Sequence, residues 1–560
     1  MISMPMPFRE LIPLPNFIPG IQRIDCGKQC NDRCHETIER GKMMLRKKNG
    51  KLFMGILLAL MGIFHMAAGD AQGESSRKPQ GILKQAIHWG ISADWLDPSS
   101  PGSVGMAAHF SLYLLHDALV KPMPEGLHTP CLAESYSISP DYKVYEFKLR
   151  KGVKFHNGDL MTAEDVIFSF WRNKSASAKL IHSQTEKIEA VNPHLVRIHF
   201  KKPFPDFMDY FVAGGSTIGW VVPKKYIEKV GDSGFRKHPI GCGPYKFVEF
   251  ISGVKLVGEA FEDFWRKVPH IKRIESYIIT EPGSRLIMLK RGEVDIATAI
   301  SGIYLEDVKK DPKLRLIAVQ SPAYWFIYIA SQWDPKSPWS DVRVRKAASL
   351  AIDRKTLADV QFPGAGPVGS LSLEADPLGV QFPPDPYNPN EAKKLLAEAG
   401  YPEGFTGGKF YPFQGQYWPY GEQIANYWKA VGISVDPVKL DRAAWRAARA
   451  SGRFKDALFV DPAMALTIGA RLAYIFGSTS YGNYSDVQAL WDQYNKASDG
   501  KTRKDLIAKI QTQIYERRIF LPLTSINSPA GVGPRVKGNP FKIQPTIWFI
   551  TPLEDVELKE

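Results

Sequence analysis

Phe155-His-Asn-Gly-Asp-Leu-Met-Thr-Ala-Glu-Asp-Val-Ile-Phe-Ser-Phe170 joins a Gly-containing turn to the start of an amphipathic helix. Within it, Thr162-Ala-Glu-Asp165 is a variant of the capping box, in which a hydroxyl and a side chain three residues on satisfy the first free amides of a helix. Ala163, Val166, Ile167 and Phe170 then recur at the i, i+3, i+4, i+7 spacing that gathers apolar side chains on one helical face. Strand patterns lie on either side. Tyr145, Phe147 and Leu149 alternate with Glu146, Lys148 and Arg150, and Val196, Ile198 and Phe200 alternate around Arg197 and His199. A helix between two half-buried strands reads as α/β.

The same mixture continues irregularly from about Gly81 onward. Val344, Ala347, Ala348 and Ala351 keep the helical spacing. A further helix is predicted from Asn390 as N-cap through Ala392, Leu395, Leu396 and Ala399, ended by Gly400 and barred from continuing by Pro402. With 560 residues the chain exceeds what one hydrophobic core supports, since cores stop growing at roughly 250–300 residues. The reading is therefore α/β and multidomain. Its 42 prolines and 46 glycines imply many loops between short elements.

The formal charge of +14 is spread out. Residues 1–71 hold ten Lys/Arg against six Asp/Glu, and the remaining excess has no dense basic run. That is a mildly basic solvated surface, and no nucleic-acid partner is expected, because such binders cluster their charge on one face.

Residues 43–71 carry an export pattern. Arg46, Lys47, Lys48 and Lys51 precede the uncharged run Leu52–Phe64, and Ala67, Ala68, Gly69 and Ala71 follow as small residues. This is the layout of a cleaved signal peptide. A membrane span needs about 20 apolar residues, and His65 and Asp70 end the run early. Cleavage is expected after Gly69 or Ala71. Because 42 residues precede Met43, Met43 or Met44 is read as the true start and residues 1–42 as a mis-annotated upstream segment. Cys26, Cys30, Cys34 and His35 lie there with a spacing that matches no common metal or cluster site. Cys131 and Cys242 are the remaining cysteines, and sequence alone leaves their pairing open. No cofactor or metal is expected.

Two enzyme-like strings fail on context. Gly231-Asp-Ser-Gly234 resembles a serine-protease nucleophile loop, but Phe235 and Arg236 follow where Gly and Pro belong. Gly364-Ala-Gly366-Pro-Val-Gly369 matches the dinucleotide fingerprint, yet Pro363 and Pro367 spoil the strand before it and the helix within it.

Five blocks speak together. The opening stretch resembles the "F-x-(D/N)-G-x-P-x-(T/S)-A-x-D-V-x-(F/Y)-S" block of the family 5 extracellular solute-binding proteins. Pro239-Ile-Gly-Cys-Gly-Pro-Tyr-Lys246 is similar to that family's "P-(I/V)-G-T-G-P-Y" turn, and Gly292-Glu-Val-Asp-Ile296 to its "G-E-(V/I)-D" block. Asp341-Val-Arg-Val-Arg-Lys-Ala-Ala, ending in Ala351-Ile-Asp-Arg354, resembles its "D-x-R-V-R-(Q/K)-A…A-I-D-R" helix. Pro389-Asn-Glu-Ala-Lys-Lys-Leu-Leu-Ala-Glu-Ala-Gly400 resembles its "A-x-x-L-L-x-E-A-G" helix. Cys242 stands where the family usually has Thr, and Leu160-Met161 replaces the usual Pro.

The resemblance implies an α/β, two-lobed type II periplasmic binding protein with an extra subdomain on lobe 1. Residues 81–112, 240–318 and 528–560 would form the lobe 1 core, 113–239 the extra subdomain and 319–527 lobe 2. It implies a non-enzymatic, monomeric receptor in the periplasm that captures a peptide or peptide-like solute. Delivery would be to the permease and ATPase subunits of an ABC importer. Aromatic residues suit the cleft walls, because such receptors leave varied side chains in roomy pockets. Tyr324, Trp325 and Tyr328 form one candidate cluster, and Phe413, Tyr417 and Trp418 another. Trp89 and Asp94 are candidates from lobe 1, and Arg471 for a ligand carboxylate. Asp461, in Ala457-Leu-Phe-Val-Asp-Pro-Ala-Met, falls where peptide-binding members hold the ligand's amino group, within an eroded pattern. The competing expectations are an exported hydrolase using Ser233, and a receptor for a non-peptide ligand such as an opine or oligosaccharide.

Overall fold

The computed structural model describes residues 78–559 apart from 101–105, 213–216, 301, 303, 362–363, 373–375, 377, 414–416, 441–443, 446–447, 450, 464–466, 477–480, 483 and 543–549. The export segment and Cys26, Cys30 and Cys34 lie outside the described residues.

A ten-stranded mixed sheet runs through the molecule. Its strands, in spatial order, begin with Tyr245–Ile251, Lys255–Ala260, Ile271–Ile278, Gln80–Ile87 and Ile296–Ala297. Next come two long central strands, Phe520–Val532 and Arg315–Ile329, then Leu458–Ala463, Phe405–Tyr411 and Ile433–Pro437. The long pair belongs to both halves. Arg315–Gln320 is antiparallel to Asn527–Val532 beside the first five strands, whereas Tyr324–Tyr328 pairs with Phe520–Ser525 and with the strand Leu458–Ala463. The register shifts between Gln320 and Tyr324 and again between Tyr324 and Phe326. Two α/β lobes are thus joined by two crossing strands whose ladder is interrupted at the joint.

The dinucleotide-like string is a strap on this joint. Pro367 bridges Thr524, Val368 N donates to Leu523 O (3.1 Å) and Ser525 N donates to Gly366 O (2.9 Å). Gly369 has no room for a side chain, since a Cβ there would lie 2.3 Å from the Pro383 backbone.

The Phe155–Phe170 stretch packs against a separate four-stranded antiparallel sheet, ordered Ala133–Ile138, Val144–Leu149, Leu195–Phe200, Thr185–Asn192. Both strands expected from alternation, around Phe147 and Ile198, are its central pair. The helix Ala163–Arg172 lies between them in sequence, with Thr162 N donating to Asp165 Oδ2 at 2.9 Å as the capping box requires. Its inner face differs slightly from expectation. Ala163, Val166 and Phe170 are buried, but Ile167 is only half-buried. Ser169 takes an inner position, its hydroxyl satisfied by Asp165 O at 2.7 Å. This sheet has its own core of Tyr145, Phe147, Val196, Ile198, Phe207 and Phe211, while the second lobe packs another around Tyr328, Phe459, Tyr494 and Ile507.

In the second lobe the helix Val342–Leu350 buries Val344, Ala347 and Ala348 as expected. It also buries Arg345, which the spacing argument leaves outside; its guanidinium donates to the carbonyls of Trp339, Ser340 and Arg517. The helix Pro389–Glu398 is capped by Asn388, not Asn390. Asn388 accepts from Glu391 N at 3.0 Å, and Pro389 at N1 needs no amide partner.

Candidate functional site

Alternation along Arg315–Ile329 sorts the aromatic residues beyond the joint. Trp325, Ile327 and Ile329 enter one core, and Phe326 and Tyr328 enter the opposite one. Trp325 is fully buried and meets Phe413 at 5.2 Å, Tyr417 at 5.0 Å and Tyr420 at 6.0 Å between ring centroids. Phe413 and Tyr417 are half-buried and 5.8 Å apart. Two clusters nearly ninety residues apart in sequence therefore form one group, with Trp325 as floor and two partly exposed rings above it. Tyr417 is held there as the residue preceding the helix Trp418–Ala430. Trp418 points elsewhere, under the Lys439 ammonium at 5.4 Å.

On the opposite face, Tyr328 stacks on Phe459 at 5.1 Å and accepts from Tyr481 N at 3.2 Å. Arg449 lies over Phe459 and Tyr481, 5.1 Å from each, and its Nε is 3.3 Å from Asp461 Oδ2. Both members of that ion pair are buried, so Asp461 already has a cation. Tyr324 carries the Arg471 guanidinium 5.1 Å above its ring. Arg471 also donates to Leu371 O and is buried inside the lobe. Burial lowers its pKa to about 10, against the opposing pull of Tyr324 and Asp376, so it stays cationic at neutral pH.

Trp89 and Asp94 belong to the first lobe. Trp89 is buried against His88 at 4.2 Å and Phe110 at 6.3 Å. Asp94 lies in the first turn of the short 3-10 helix Ala93–Leu96 and stands 3.9 Å from Arg236.

Sequence reasoning missed Tyr420, Trp445, Arg449 and Tyr481. Trp445 lies 5.0 Å from Phe413. The signal was present in Trp445-Arg-Ala-Ala-Arg449, where i, i+4 spacing puts the indole and the guanidinium on one helical face.

The serine-hydrolase alternative fails on geometry. Ser233 is exposed within the helix Lys224–Lys237, just past a kink at Gly231 (φ 70°), and the neighbouring Asp232 is engaged by Arg172 at 2.8 Å. Among the described residues no histidine is hydrogen-bonded to Ser233, and acyl transfer by serine needs such a base. Cys131 and Cys242 are buried free thiols, and burial pushes Cys131 up to about 12. Among the described residues no group of three or more His, Cys, Asp or Glu could hold a metal ion. Nor is any described helix long and apolar enough to cross a membrane.

Two α/β lobes on a pair of crossing strands, with an aromatic wall beside the joint, define a hinged binding protein. Residues 128–463 match the family model described as bacterial extracellular solute-binding proteins, family 5 middle, and the chain belongs to that family. It is 26% identical over 452 residues to heme-binding protein A of Haemophilus influenzae, covering 73% of this chain and 81% of that protein. It is 33% identical over 282 residues to the glutathione-binding protein GsiB of Pectobacterium atrosepticum, across 49% of this chain and only about half, 53%, of that relative. The periplasmic binding protein DppA of Helicobacter pylori, solved with the peptide STSA, matches in fold with a TM-score of 0.71 at 22% identity. That match covers 87% of this chain and 99% of DppA. Family membership makes the chain a transport binding protein, not an enzyme.

Proposed function

We propose that this protein is the periplasmic substrate-binding component of an ABC importer, and that it takes a peptide or peptide-like solute between its lobes. The observation that carries the proposal is the convergence of Trp325, Phe413 and Tyr417 beside the crossing strands. Half-buried rings over a buried indole present apolar area without fixing one ligand side chain, as a receptor for varied solutes requires. Hinge closure at the Gln320–Tyr324 interruption would bring the first lobe, with Trp89 and Asp94, over that wall. The lobe limits given above, export by a cleaved signal at residues 43–71 and a monomeric receptor belong to the same proposal.

Asp461 bears on which solute this is. Its carboxylate is paired with Arg449, so a ligand ammonium would have to compete with a guanidinium already in place. This favours peptide-like ligands that are not read through a free amino terminus. Relatives named for binding heme, glutathione and a peptide set the range to test.

Native mass spectrometry of the purified protein is expected to reveal a co-purifying small solute. Calorimetry with tetrapeptides, glutathione and heme then ranks the classes. Tyr417→Ala and Phe413→Ala are each expected to weaken the best ligand about tenfold, on the scale of 1–1.5 kcal/mol for a lost aromatic contact. Unchanged affinity in both variants would remove the aromatic wall from the binding site.

A further inference from the structure

Asp206 and Arg503 connect two separately packed cores. Asp206 immediately precedes the helix Phe207–Val212, whose Phe207 and Phe211 belong to the core of the four-stranded sheet. Arg503 lies in the first turn of the helix Gly500–Glu516, beside Leu506 and Ile507 of the second lobe's core. The Arg503 guanidinium donates to Asp206 Oδ1, and Tyr494 Oη donates to the same oxygen at 3.1 Å. Arg503 also lies 4.0 Å over the Tyr494 ring and donates to Tyr494 O at 3.1 Å. Both charged side chains are largely withdrawn from water, at 6% and 13% exposure.

Three features set this contact apart from an ordinary surface pair. A cation in the first turn of a helix opposes the helix dipole, so Arg503 gains nothing from the field of its own helix. Neither residue lies on the crossing strands that join the lobes. The second lobe also makes space for the contact, because a Cβ at Gly469 would lie 2.9 Å from Tyr494 Oη and 3.6 Å from Asp206 Oδ1.

We propose that Asp206, Arg503 and Tyr494 form a latch that is made when the four-stranded subdomain meets the second lobe and broken when the lobes part. A desolvated ion pair suits this task. Its mutual attraction is offset by lost hydration, so both partners can return to water at little net cost, and the contact specifies one closed geometry without locking it. The latch sets how much of the ligand-free population is closed, and through that the apparent affinity for any ligand.

The test uses the ligand-free full chain, with hydrogen exchange over residues 207–212 and X-ray scattering. Arg503→Met, which keeps the stem and removes the charge, is expected to speed exchange across that helix about tenfold and to raise the radius of gyration. Tyr494→Phe, which deletes one oxygen, is expected to give about a threefold increase in the same helix. Unchanged exchange and unchanged radius in folded variants would overturn the latch. So would exchange that rises equally throughout the second lobe, because that marks a purely structural role. If Arg503→Met fails to fold, Tyr494→Phe decides by the same readout.

Discussion

Asp461 and Arg449 show how much a single partner changes the meaning of a residue. Alone in the sequence, Asp461 resembles an anchor for a ligand's amino group; in the fold it is buried with its charge balanced by a guanidinium stacked on Phe459 and Tyr481. Removing one member of a buried pair strands the other. Arg449→Leu is therefore expected to destabilise the protein by about 3–5 kcal/mol in urea unfolding, and adding Asp461→Asn to recover most of that loss. Additive losses in the double variant would mean that the two residues do not act as a pair. Arg471 follows a similar logic. Its burial against Tyr324 and Leu371 O gives it a place in the lobe's packing that its position in the sequence does not announce.

At the scale of elements, the Pro239–Tyr245 turn is held by the neutral imidazole of His156, while the His116 ring beside it bonds Leu96 O at 2.9 Å. Gly241 N donates to His156 Nδ1 at 3.2 Å, and His156 Nε2 donates to Gly243 O at 3.0 Å, which fixes the uncharged tautomer. A Cβ at Gly241 would lie 2.0 Å from Leu115 O and one at Gly243 2.5 Å from His116 N, so both glycines are required by close approach. This is the physical content of the "G-x-G" in the family's turn. Burial lowers His116 to about 4 and His156 to about 3. In each case the unfolded chain takes up its proton first as pH falls below about 6.5. Stability is then lost from about pH 6.5 downward and levels off only below the folded-state values. Between pH 7 and pH 4.5 each imidazole accounts for a loss of about 2–3 kcal/mol. Urea unfolding of His116→Asn across that range should show a shallower acid slope than the parent. An identical slope would exclude His116 as a contributor.

For the whole molecule, the crossing strands and their strap decide where it bends. The ladder between Arg315–Ile329 and Phe520–Val532 is interrupted at Gln320–Tyr324 and again at Tyr324–Phe326, and opposite the second interruption Leu523 and Thr524 pair with Val368 and Pro367 instead. The amides of Ser321 and Ala323, on either side of Pro322, are expected to exchange at least about tenfold faster than those of 315–319 and 326–329, read by hydrogen-exchange mass spectrometry. Uniform protection along the strand would place the hinge elsewhere. Much of this architecture was legible locally. The capping box at Thr162, the alternation around Phe147 and Ile198, and the helix around Ala347 depend on neighbours within a turn or a strand, where periodicity alone reports which face is buried. Ordered blocks such as Pro239–Lys246 could likewise be read because they encode tight backbone turns. The aromatic candidates were legible as residue types but not as a group, since Trp325 meets Phe413 and Tyr417 only after the chain has crossed between lobes. Nothing within reach of Asp461 in sequence marks Arg449 as its partner, and nothing near Arg503 marks Asp206, nearly three hundred residues away. Backbone propensity and burial pattern act over a few residues, so the class of protein and its local elements could be read from residue order. Which charges are already paired, which rings converge and where the lobes touch emerge from the folded chain, because desolvation and Coulomb attraction act across space between segments that the chain order keeps apart.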